Sequence, residues 1–75
     1  MKTLYVKTLM GDVITIEVED TDTIAMVKEK IEKAEGIPQN EQRLMFNNKK
    51  LADNRTIKDY NIEEEETLQL VIRKG

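Results

Sequence analysis

Carboxylates, lysines, threonines and tyrosines are the side chains on which acid–base or covalent chemistry would have to run here, because the chain contains no histidine, cysteine, serine or tryptophan. The usual nucleophile–base pairs need serine or cysteine beside histidine, and every member of that set is missing. Zinc, haem and iron–sulfur centres lose their ordinary ligands for the same reason. An enzyme would have to work with the remaining groups alone, so the inventory argues for a protein with no catalytic site, no metal and no cofactor.

The motifs that could carry other chemistry are weak. Glu63-Glu64-Glu65-Glu66 is the one marked acidic run, and it lacks the alternating oxygen ligands and the turn glycine of a calcium loop, so a solvated turn is expected. Asn54-Arg55-Thr56 fits the glycosylation sequon, but no secretory signal precedes it. Gly11, Gly36 and Gly75 form no nucleotide-binding pattern. Tyr5 and Tyr60 are expected to pack or hydrogen-bond rather than to stack on bases. A net charge of −3 also disfavours general nucleic-acid binding, which needs a basic face.

The elements behind these side chains follow from periodicity. Leu4 and Val6 alternate with Thr3, Tyr5 and Lys7, and Ile14, Ile16 and Val18 alternate with Thr15, Glu17 and Glu19. Two period-2 runs joined through Leu9-Met10-Gly11 predict a β-hairpin. At Thr23 the period changes: Ile24, Val27 and Ile31 fall at helical spacing. Thr23 is the expected N-cap, with Asp22 beside the positive helix end, while Gly36 and Pro38 stop the helix near Glu35. Arg43-Leu44-Met45-Phe46 predicts a short strand, Asn47-Asn48 a turn, and Lys49-Lys50-Leu51 a second very short strand. Thr56 to Tyr60 reads as a loop or single helical turn, and Thr67 to Arg73 as a final strand with Leu68, Leu70 and Ile72 on one face.

A hairpin, one helix, short strands and a last strand make a single α+β domain over residues 1–75, with the helix laid across a sheet. The expected core is Leu4, Val6, Ile14, Ile16, Val18, Ile24, Val27, Ile31, Leu44, Leu51, Ile57, Ile62, Leu68 and Leu70. Hydrophobic residues at 39% and charged residues at 36% suit a globular domain rather than a disordered tail. No apolar run nears the roughly 20 residues that span a bilayer. The absence of cysteine fits a reducing compartment, cytoplasm or nucleus.

Three apolar residues break the pattern. Val71 lies on the polar face of the last strand, Met45 points opposite to Leu44 and Phe46, and Leu9 occupies a turn tip. If the strands carrying Met45 and Val71 are neighbours, the three form one exposed apolar patch rimmed by Lys7, Arg43, Lys49 and Arg73, the arrangement of a protein–protein contact site. The other reading is of scattered surface hydrophobes, which need no explanation. A patch this small falls below the roughly 800 Å² per partner of stable interfaces, so each contact should be weak, of order micromolar.

The sequence resembles the ubiquitin family from the first strand to Arg73. Glu35-Gly36-Ile37-Pro38 followed by Gln42-Arg43-Leu44, and then Asp59-Tyr60-Asn61-Ile62, is a specific set; Val6-Lys7-Thr8-Leu9, Asp22-Thr23-Ile24 and Leu70-Val71 add to it. The resemblance implies a β-grasp fold and a monomeric protein that acts by being recognised. It places Leu9, Met45 and Val71 in the family's main recognition patch, with methionine at 45 where ubiquitins carry isoleucine and Gln69 where they carry histidine. The methionine keeps apolar volume and adds flexibility. Lys7, Lys28, Lys30 and Lys49 match lysines that the family uses as chain acceptors, and ordinary solvated surface is the competing reading of them. Implied partners are ubiquitin-binding domains, proteasome receptors and conjugation enzymes.

Two departures matter. Lys2 aligns with the family's starting methionine, which makes Met1 an extra residue. Arg73-Lys74-Gly75 stands where the family ends in a double glycine that activating enzymes adenylate, so this chain as written is not expected to be conjugated. Two roles stay open: a modifier, or a ubiquitin-like domain of a longer protein that docks noncovalently on ubiquitin receptors or the proteasome. A third, a β-grasp sulfur carrier or small enzyme, would need a terminal double glycine or a catalytic constellation.

Overall fold

The computed structural model describes residues 1–74; of the expected tail stub, Gly75 lies outside them. The two alternating runs form β1 (Lys2–Thr8) and β2 (Val13–Val18), an antiparallel pair that sets Leu4 opposite Ile16 and Val6 opposite Ile14. At their junction Gly11 adopts a φ of 92°, which a side chain disfavours. The Thr8 amide donates to the Asp12 carbonyl at 2.9 Å and closes the loop.

The helix α1 (Ile24–Glu35) begins and ends at the expected caps. Thr23 Oγ1 accepts the Met26 amide at 3.2 Å, and Gly36 takes a φ of 75° while its N–H donates to the Glu32 carbonyl. Ile24, Val27 and Ile31 are fully buried, so the helical period turns its apolar stripe onto the sheet.

The second half supplies β3 (Gln42–Phe46), β4 (Lys49–Lys50) and β5 (Thr67–Ile72). Asn47 and Asn48 both take positive φ, 53° and 63°, the pairing that lets a two-residue turn follow strand twist. Short 3₁₀ turns occupy Gln39–Glu41, which periodicity did not reveal, and Lys58–Tyr60. The sheet order is β2-β1-β5-β3-β4, with β1 and β5 parallel and β3 antiparallel to both neighbours. One helix against a mixed five-stranded sheet is the β-grasp architecture.

All fourteen expected core residues are buried in one cluster, with Ile37, Phe46 and Tyr60 packed against it. Ile72 shares their side of β5 yet is 47% exposed, because it sits opposite Gln42 at the outermost pair of the β3–β5 ladder. Polar groups tie the remaining loops. The Tyr60 hydroxyl accepts the Ala52 amide at 2.8 Å. Thr56 and Asp59 each accept the other's backbone amide, which holds the Asp59 carboxyl below its ordinary pKa.

Candidate functional site

Side chains alternate across a strand, so burying Leu68 and Leu70 turns Thr67, Gln69 and Val71 to the outer face of β5. The same rule turns Arg43 and Met45 outward on β3 and Tyr5 and Lys7 outward on β1. Register then fixes neighbours. Lys7 lies opposite Gln69, Gln69 opposite Met45 and Met45 opposite Lys50, in one row across four strands. One step further along β5, Val71 lies opposite Arg43, diagonal to Met45 and within reach of it.

Met45 and Val71 are both half-buried and line one shallow surface hollow together with Phe46, Gln69, Glu65 and Glu66. Leu9 is 78% exposed at the hairpin tip, one residue beyond the Thr8–Leu70 pair. It lines a second hollow with Met10, Ile37 and Ile72. The sheet therefore brings Met45 and Val71 together, while Leu9 stands at their margin and faces another depression. None of the three is packed inside.

The cations are distributed less evenly than the pattern implied. Lys7, Lys49 and Arg73 are exposed and Arg43 is half-buried. Lys49 lies opposite Phe46, whereas the cation opposite Met45 is Lys50. Periodicity gave no sign of Lys50, nor of Glu65 and Glu66 as walls of the hollow. The signal for Lys50 is the two-residue Asn47-Asn48 turn, which fixes the β3–β4 register and therefore pairs position 45 with position 50.

The four lysines expected as chain acceptors separate into two pairs. Lys7 and Lys49 extend from exposed positions. Lys28 is 8% exposed, and its ammonium bonds the Asp53 carboxylate at 2.6 Å. Its carbonyl accepts from the Gln42 amide group, which also donates to the Ile37 carbonyl. Lys30 donates to the Glu17 carbonyl at 2.9 Å and faces Asp22 at 3.5 Å. Lys2, too, is engaged within the fold, donating to the Ile62 carbonyl and to Asp20. The bond to Asp20 raises the Lys2 pKa and lowers the Asp20 pKa.

A family model described as "Ubiquitin family" matches residues 4–75 of the sequence. The chain belongs to the ubiquitin family. "NEDD8-like protein RUB3" of Arabidopsis thaliana is 51% identical over 69 residues, covering 92% of this chain and 88% of that protein. "Ubiquitin-like protein NEDD8" of Dictyostelium discoideum is 43% identical over 69 residues, covering 92% of this chain and 90% of that one. The mouse "AN1-type zinc finger protein 4" is 41% identical over 69 residues, which are 92% of this chain but 9% of that protein. The chain is thus a ubiquitin-like protein of the ubiquitin pathway with NEDD8-like relatives. Among the described residues no group of three or more metal-ligating side chains comes together.

Proposed function

We propose that this ubiquitin-like chain is a non-catalytic recognition signal, gripped through the outer face of β1, β5 and β3. The observation that carries the reading is the pairing of Met45 with Val71 as diagonal neighbours on an uncovered sheet face, lining a common hollow. Lys7, Arg43, Lys49, Gln69 and Arg73, with Lys50, supply a polar rim, and Leu9 extends the apolar surface at one corner. Such a face suits the apolar side of a receptor helix, and its size suits affinities of order micromolar. Ubiquitin-binding domains, proteasome receptors and conjugation enzymes are the partner classes, met in cytoplasm or nucleus.

Titrating a ubiquitin-binding helix into labelled protein tests the reading. Amide shifts should move around Met45, Gln69 and Val71, and M45D should weaken binding by about tenfold or more without loss of shift dispersion elsewhere. Shifts confined to other surfaces would refute it.

Two modes of use share this face. Coverage of nearly the whole of the NEDD8-like relatives favours a modifier. The match to a small part of a much longer protein supports the alternative, a domain that docks noncovalently. Incubating native-length protein with an activating enzyme and ATP separates them: a thioester supports the modifier, and its absence leaves docking.

A further inference from the structure

Cysteine and methionine carry the sulfur that peroxides oxidise, and this chain has four methionines and no cysteine. Methionine is a common gap-filler of protein cores, yet none of the four is among the fourteen core residues. Met1, Met10 and Met26 are exposed, at the chain start, the hairpin tip and the first turn of α1. Met45 alone is half-buried, and it lies on the outer face opposite both Gln69 and Lys50.

Oxidation turns the thioether of methionine into a sulfoxide, replacing a flexible apolar group by a polar, chiral one. In a core that change would cost stability, but here no core position can undergo it. At Met1, Met10 or Met26 the new oxygen meets water. At Met45 it arrives on the apolar middle of the face, in the hollow shared with Val71. Gln69 and Lys50 are exposed and directly opposite, with Cβ atoms about 4.5–5.5 Å away. A thioether offers their N–H groups only a weak acceptor, whereas a sulfoxide oxygen offers a strong one.

We propose that Met45 is a reversible oxidation site through which hydrogen peroxide releases this protein from its partners. The inference rests on the recognition reading above and adds regulation to it. The sulfur lone pair attacks one peroxide oxygen. An S–O bond forms, the O–O bond breaks, and the second oxygen leaves as water. Sulfur gives up two electrons and the peroxide takes them. The reverse step needs thiols from outside, because the chain has no cysteine: two thiols join as a disulfide, the sulfoxide oxygen departs as water, and the thioether returns. After oxidation an apolar partner side chain seated on Met45 meets a dipole that must shed its water, or its bond to Gln69 or Lys50, to be covered. A bound partner also screens the sulfur, so the free protein is the form that oxidises.

In the test, hydrogen peroxide is applied to the labelled protein and removed, and a synthetic ubiquitin-binding helix without methionine is then titrated. Peptide mass spectrometry follows the added oxygen at each methionine. Oxidation of Met45 should weaken binding about tenfold while shift dispersion is retained. The two sulfoxide reductases, one for each epimer, should restore binding when supplied with a thiol. The loss should persist in M10L/M26L. In M45L, whose own untreated affinity is the reference, peroxide should not move that affinity. Helix added before peroxide should slow oxidation at Met45 and leave Met26 at its free rate. Equal binding before and after Met45 is oxidised, an equal loss in M45L, or collapse of the dispersion overturns the oxidation inference and leaves the recognition reading standing. Untreated protein whose amides around Met45 and Val71 do not shift with the helix overturns both.

Discussion

The two faces of the sheet treat charge in opposite ways. On the side that carries α1 and along the sheet's β2 margin, three cations are closed off, Lys28 on Asp53, Lys30 on Asp22 and the Glu17 carbonyl, Lys2 on Asp20 and the Ile62 carbonyl, while Lys33 of α1 is exposed. Beneath them Leu4, Val27, Ile31 and Leu44 are fully buried. On the outer face Lys7, Arg43, Lys50, Glu65 and Glu66 surround a half-exposed Met45 and Val71 and belong to none of the ion pairs among the described residues. Stability is concentrated on one side, which leaves the chemistry of the other side free to vary. Alternation makes this possible, because consecutive residues of β3 face opposite ways, one into the core and the next toward a partner.

Substitutions at adjacent positions 44 and 45 give the largest contrast. Leu44→Ala should cost about 2–5 kcal/mol by leaving a cavity in the core. Met45→Ala, one residue on, should cost about 1 kcal/mol or less. Urea melts of the two variants check this; equal losses would mean that the outer face also bears the fold. A second contrast lies among lysines. With a limiting acylating reagent and peptide mapping, Lys7 and Lys49 should react readily. Lys28 should react at least about tenfold more slowly, because its ammonium is released only by local opening. Comparable rates would deny that the Lys28–Asp53 pair persists in solution.

Acid gives the smallest effect. The folded pKa of Asp20 is lowered by its hydrogen bond to Lys2, and that of Asp59 by the Thr56 amide. A depressed carboxylate contributes stability that is whole above its unfolded pKa, about 4, and lost as pH falls through the folded value. Both groups are exposed, so the loss is slight. The denaturation midpoint should drift downward below about pH 4, and D20N together with D59N should flatten that drift.

Much of this arrangement was legible in the residues. The helix came from a change of period between Thr23 and Ile24, together with a cap whose partner amide is three residues on. The core came from alternation, since residues such as Ile14 and Ile16 have one buried face to occupy. What stayed hidden depends on register. Which cation flanks Met45 is set by pairing across the Asn47-Asn48 turn, and periodicity within one strand carries no information about its neighbour. The separation of Lys28 from Lys7 was equally hidden. A lysine on a helix reads as solvated surface until Asp53, 25 positions away, is brought onto it. The acidic run read as one solvated turn because the placing of Glu65 and Glu66 at the hollow depends on a left-handed backbone at Glu65, a conformation that glutamate does not advertise.

The placement of β5 has a consequence for synthesis. It is the domain's last strand, yet it lies between β1 and β3, and those two strands are joined only through it. A ribosome delivers residues in order, so the hairpin and helix emerge long before the strand that joins them to the rest. The sheet can close only after residue 72 has cleared the exit tunnel, and until then two hydrophobic fragments wait side by side. Closure of the complete sheet is therefore tied to the arrival of its final stretch.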